Sequence, residues 1–134
     1  MNYEHHSRAR VRYLVDGFRL PDIEGWFRYG CWAFDYKNKE QVEAICDEAL
    51  KNGVCTHIEH SMANEGTCYF FCYEDDVKAH QKITRYFVVK NLIPRDENGK
   101  LSNIAYRLPN GEEDTQEPLT LSFLIDLDTG APTF

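Results

Sequence analysis

Two stretches of the chain repeat one another in order, and this constrains the fold more than any single motif. Gly30, Phe34-Asp35-Tyr36 and Lys51-Asn52-Gly53-Val54 are echoed by Gly66, Phe71-Cys72-Tyr73 and Lys90-Asn91-Leu92-Ile93, at offsets of 36 to 39 residues. Each copy reads as a strand, then a helix, then a strand-like segment. Two such units give β-α-β-β-α-β, the ferredoxin-like order. Right-handed crossovers place both helices on one face of an antiparallel sheet. The expected class is therefore α+β, a single domain over residues 1–134, with added strands at 8–15 and at 100–108 or 119–126.

Local patterns support these units. Residues 1–7 read as a loose tail, and Arg8–Val15 alternates as a strand, with Ala9, Val11, Tyr13 and Val15 on one side. Trp26–Tyr36 is a long aromatic strand. Asn38, with Gln41 three residues on, forms a capping-box pattern. Val42, Ile45, Cys46, Ala49 and Leu50 then make one helical stripe, which Gly53 closes from a left-handed C′ position. A second helix starts at Asp75 or Asp76, carries Ala79, Ile83, Tyr86 and Phe87 inward, and stops before Pro94. Residues 109–118 read as an acidic loop and Leu119–Asp126 as a last strand.

Charge is segregated. The net value is −7, yet residues 1–108 are nearly neutral, and Glu112, Glu113, Asp114, Glu117, Asp126 and Asp128 stand beyond them with no Lys or Arg. That balance disfavours general nucleic-acid binding, which rests on cations against phosphate, and permits a basic protein partner. No apolar run approaches the ~18 residues of a membrane span, and the N-terminus has no signal core. Five cysteines, an odd number without framework spacing, suit a reducing, cytoplasmic setting.

Three of those cysteines lie in the hairpin of residues 55–73, with His57. Whether Cys55, His57, Cys68 and Cys72 converge on a metal depends on register, since a one-residue slip exchanges the two faces. If paired positions sum to 127, Cys55 faces Cys72. If they sum to 126 or 128, Ile58 joins Cys68, Phe70 and Cys72 while His57 and Glu59 turn to the other side. The second choice buries Ile58, worth roughly 1.5–3 kcal/mol, and spares two polar groups a dry core. It is preferred, so no metal or cofactor is expected. Catalysis is not expected either. Cys55 and His57 stand roughly 7 Å apart along one strand, and no nucleophile elbow, phosphate loop or dinucleotide fingerprint occurs.

The remaining signal is aromatic. Trp32, Phe34 and Tyr36, with Tyr69, Phe71 and Tyr73, are expected on the sheet face opposite the helices, while Cys31, Ala33, Cys68 and Cys72 allow close helix approach. Such a patch needs a cover: the terminal strands, a second copy of the chain, or a partner. The leading expectation is a small non-catalytic interaction or regulatory module, an inhibitor for example. It would dock a partner, such as a basic nucleic-acid-handling protein, through that face or through Glu112, Glu113, Asp114 and Glu117. The alternative is a ligand-sensing domain or small enzyme with a cup at Trp32, Tyr36, His57 and Tyr73. RNA binding on the aromatic face is a lesser alternative, because Gly66–Cys72 matches the RNA-recognition consensus only at its glycine and loosely at Tyr69.

Overall fold

The structure is a computed structural model, and it describes residues 10–109 and 119–134. It is an α+β fold. In chain order the elements are β1 (Arg10–Leu14), the single-turn α1 (Ile23–Trp26), β2 (Tyr29–Tyr36), α2 (Lys39–Lys51), β3 (His57–Ser61), β4 (Gly66–Tyr73) and α3 (Val77–Val89). The four strands form one sheet in the order β1-β3-β4-β2, and every neighbouring pair is antiparallel. The strands β2 and β3 therefore run parallel on either side of β4, joined by a crossover through α2.

Both long helices start where their side chains can satisfy free backbone N–H groups. The Asn38 carbonyl accepts from the Gln41 amide at 3.0 Å, and the Asp76 carboxylate from the Ala79 amide at 3.2 Å. Past their ends, Gly53 (φ 71°) and Asn91 (φ 59°) take the left-handed conformation that terminates a helix. The stripes Val42, Cys46, Ala49 and Ile83, Phe87 bury against one sheet face, where Phe87 meets Phe34 and Phe70 edge-on at 5.1 Å.

The β3–β4 register pairs Ile58 with Phe70, Glu59 with Tyr69 and His60 with Cys68, so paired positions sum to 128. Ile58 enters the core, while His57 and Glu59 take the other side. The β2–β4 register corrects the grouping of the six aromatics. Trp32 pairs with Phe70 and Phe34 with Cys68, which puts Trp32, Phe34 and Tyr36 on the helix side. Tyr69, Phe71 and Tyr73 stand on the helix-free side with Tyr29, Cys31 and Ala33. The reason lies in packing. Bulky Phe34 sits opposite small Cys68, which fills the space beneath the helices more evenly than one all-aromatic face and one all-small face would. The polar ends on the helix side are met as well. The Trp32 indole N–H donates to His80 Nδ1 at 3.0 Å, and the Tyr36 hydroxyl lies 2.7 Å from the Ser61 and Ala63 carbonyls.

The expected C-terminal strands do not form. Residues 100–108 make isolated bridges, among them Cys31 with Arg107, and Leu121–Phe123 is a 3₁₀ turn. Leu101, Tyr106, Leu121, Leu124 and Ile125 instead join the helix-side core. Gly30 permits this, because a Cβ there would lie 2.2 Å from the Arg107 carbonyl oxygen. Among the described C-terminal residues, these five side chains pack on the helix side, and only Arg107, Leu108 and Pro109 border the cleft on the opposite sheet face. The tail at 1–7 and the acidic Glu112, Glu113, Asp114 and Glu117 lie outside the described residues.

Candidate functional site: a cleft on the helix-free sheet face

Strand alternation projects a second set of side chains away from the helices. From β1 come Arg10 and Arg12, from β3 His57 and Glu59, from β4 Tyr69 and Phe71, and from β2 Tyr29 and Cys31. The segment after β1 folds over one end of this face, bringing Phe18 near His57 and Trp26 near Tyr29. Between them opens a cleft of about 500 Å³. Tyr29, His57, Glu59 and Phe71 form its floor, and Trp26 and Arg107 stand on its walls.

The floor is a continuous hydrogen-bonded chain. Glu59 is only 6% exposed, and its carboxylate accepts from Arg10 Nη1 at 2.9 Å, Arg12 Nε at 3.0 Å and His57 Nε2 at 2.8 Å. Because Nε2 carries its hydrogen toward the carboxylate, the neutral imidazole leaves Nδ1 as an acceptor. The Tyr29 hydroxyl donates to it at 2.7 Å. His57 also lies flat on Phe71, with ring centroids 4.2 Å apart and planes within 14°, so its orientation is held on every side. The Arg10 guanidinium in turn caps the Tyr69 ring at 4.2 Å.

These surroundings set the charges. Burial works to raise the Glu59 pKa, but the hydrogen bonds from His57 and Arg10 and the nearby charge of Arg12 outweigh it and hold the carboxyl at about 2. Burial lowers the His57 pKa. Glu59 pulls it upward, while Arg12 and Arg10 reinforce the lowering. Tyr29 is pushed up chiefly by burial, and Cys31 is raised by burial to about 11 despite nearby Arg107. At neutral pH the floor therefore holds one carboxylate, two guanidinium groups, a neutral imidazole, a phenol and a protonated thiol. Arg107 is exposed and has no ion pair among the described residues, so it brings net positive charge to the mouth.

The residues expected from sequence to share a site divide between two places. His57 and Phe71 are in the cleft, Tyr73 packs on Tyr29 at 4.8 Å, and Tyr69 sits beneath Arg10. Trp32, Phe34 and Tyr36 lie in the core on the other side of the sheet, so the cup at Trp32, Tyr36, His57 and Tyr73 is not assembled. Tyr29, Glu59, Arg10, Arg12 and Arg107 are not among the candidates that the sequence suggests. A signal for three of them exists in the sequence: Arg10-x-Arg12, and Glu59 in His57-x-Glu59, each place two polar groups on one face of a strand.

The cysteines are used in packing. Cys55 Sγ donates to the His57 and Phe71 carbonyls at 3.3 and 3.4 Å, and Cys46 and Cys68 lie 3.8 Å apart, sulfur to sulfur, in the core. Among the described residues, no group of three or more His, Cys, Asp or Glu side chains could hold a metal, and no helix is long and apolar enough to cross a membrane. Comparison with known proteins finds no matching family model, no matching curated protein and no matching solved structure.

Proposed function

We propose that this chain is a small-ligand-binding domain that takes a flat, negatively charged organic molecule into the cleft on its helix-free sheet face. The observation that carries this is the combination, at one opening of about 500 Å³, of an aromatic floor and wall with the exposed cation Arg107. Volumes in this range suit a small molecule. The acidic group within the cleft, Glu59, is already neutralised by its partners, so an incoming anion meets Arg107 before it meets negative charge.

On this reading the repeat organisation is a ferredoxin-like core, with β1 added at one edge of its sheet, and the cleft occupies the face that the helices leave open. RNA is a weaker fit for the same face. Arg10 covers Tyr69 and His57 covers Phe71, so the ring surfaces that would stack bases are already in use. A protein-docking role is the second reading. It draws on Leu20, Trp26 and Phe27, which are exposed beside the cleft, and its acidic version draws on Glu112, Glu113, Asp114 and Glu117.

Intrinsic fluorescence tests the ligand reading directly. Trp26 is 44% exposed and Trp32 is 0% exposed, so quenching by a bound ligand reports Trp26. Benzoate and benzenesulfonate are expected to quench it saturably. Arg107→Ala should weaken that binding roughly tenfold or more, as expected for loss of a charge-assisted hydrogen bond. A folded protein that binds neither anion at millimolar concentration would refute the reading. Undiminished capture of a protein partner by such a chain would then favour docking.

A further inference from the structure

The Tyr29–His57–Glu59 chain has a property beyond holding the floor together, and it concerns the polarity of the cleft. With His57 neutral, its single ring hydrogen is committed to Glu59 at 2.8 Å, and the Tyr29 hydrogen is committed to Nδ1 at 2.7 Å. Tyr29 lines the cleft, and its Oη then has only lone pairs left to offer, which repel an anion. When His57 gains a proton, Nδ1–H becomes the donor in the same 2.7 Å contact, and the Tyr29 hydrogen is released. It turns outward, and the floor changes from acceptor to donor. One proton on the imidazole thereby reverses the hydrogen-bonding sense of the Tyr29 hydroxyl, and both side chains line the cleft.

Resting on the ligand-binding reading above, we propose that the cleft binds its anion together with one proton, which His57 takes up and Tyr29 presents to the ligand as a hydroxyl donor. The groups facing His57 are consistent with such coupling. Its own strand contributes Glu59, β1 contributes Arg10 and Arg12, and β2 contributes Tyr29. From β4 comes Phe71 and from the segment after β1 comes Phe18, neither of which titrates. Without an anion beside it, burial opposes the proton most, Glu59 favours it, and the two arginines reinforce burial, so the imidazole is neutral. An anion beside them offsets their field, and protonation becomes favourable. By linkage, the proton must then favour the anion to the same extent.

The test uses benzoate and benzenesulfonate, neither of which titrates between about pH 5.5 and pH 8, the range in which His57 alone changes charge among the floor groups. Binding is followed by Trp26 fluorescence and by calorimetry in two buffers of different ionisation heat. Affinity should fall as pH rises, by up to about tenfold per pH unit, with up to one proton taken up per anion bound. Tyr29→Phe keeps the ring and its packing but removes the donor. It should lose the tightening at low pH, leaving affinity near the wild-type value at high pH. His57→Gln retains an N–H for Glu59, cannot titrate, and should show no proton uptake. Equal affinity at both pH values with no proton uptake would overturn the coupling while leaving the cleft as a ligand site. Full pH dependence in Tyr29→Phe would also overturn it. Failure of the folded wild type to bind either anion at either pH would overturn both proposals.

Discussion

Arg12 stands directly opposite Glu59 in the β1–β3 register, and its Nε lies 3.0 Å from Glu59 Oε2, the same oxygen that His57 Nε2 approaches at 2.8 Å. One carboxylate oxygen thus joins the edge strand to the floor of the cleft. β1 has five described residues, and among the described residues β3 is its one strand partner in the sheet. The ionic contact anchors the edge and fixes the imidazole orientation together.

Removing that carboxylate charge should therefore be costly. Glu59→Gln removes a largely buried carboxylate charge that Arg10 and Arg12 both meet, and should destabilise the fold by roughly 3 kcal/mol. Urea unfolding measures this. A loss below about 0.5 kcal/mol, the range of ordinary surface substitutions, would show that the contact is not anchoring the edge.

Acid should destabilise the protein in two steps, and the sign is the same for both groups. His57 has a lowered pKa in the folded state, so its contribution is complete above the ordinary 6.5 and is lost as pH falls toward its folded value. Glu59 has its pKa lowered from 4.5 to about 2, so its contribution is complete above 4.5 and is lost as pH falls toward 2. The second shift corresponds to roughly 3 kcal/mol at 1.36 kcal/mol per unit. Urea midpoints measured across this pH range should drop in both windows, and Glu59→Gln should abolish the lower one. A midpoint that rises on acidification would contradict the charge states assigned to the floor.

Two glycine substitutions should cost stability for different reasons. At Gly30 a Cβ would meet the Arg107 carbonyl oxygen at 2.2 Å and Tyr106 Cζ at 2.9 Å, so Gly30→Ala must push the C-terminal segment off β2, at roughly 1–3 kcal/mol. At Gly53 nothing lies within 4 Å, and only the φ of 71° opposes a side chain, at about 1 kcal/mol. Hydrogen exchange separates them. Gly30→Ala should expose the Cys31 and Arg107 amides, which bond each other's carbonyls at 2.9 Å, and Gly53→Ala should leave them protected.

The division of the aromatics between faces predicts unequal costs for like substitutions. Phe34→Ala opens a cavity among Phe70, Phe87 and the helices, and should cost roughly 3–5 kcal/mol. Tyr69→Ala, on the helix-free side and half-buried, should cost less than about 1.5 kcal/mol. Equal losses from thermal unfolding would mean that the two rings share an environment.

Much of this architecture is legible in the residues themselves. Asn38 and Asp76 announce helix starts because their side chains can reach backbone N–H groups only a few residues away. The choice of register in the hairpin follows from the single apolar residue Ile58 flanked by His57 and Glu59. The strand at 119–126 misleads for an equally physical reason. Leu119, Leu121, Leu124 and Ile125 are apolar enough for a strand, but the segment around the 3₁₀ turn Leu121–Phe123 buries Leu121, Leu124 and Ile125 and partly buries Leu119, and burial alone does not distinguish the two.

What the sequence determined by itself is local: helix caps and stripes, strand alternation, and the pairing of neighbours across a short turn. Only the tertiary structure decided which residues of β2 face which of β4, strands separated by a helix and a hairpin. No turn geometry carries register across that distance, so core packing sets it, with Phe34 opposite Cys68 and Trp32 opposite Phe70. That one-residue choice sent Trp32, Phe34 and Tyr36 into the core and aligned Tyr29 with His57, the contact on which the cleft depends.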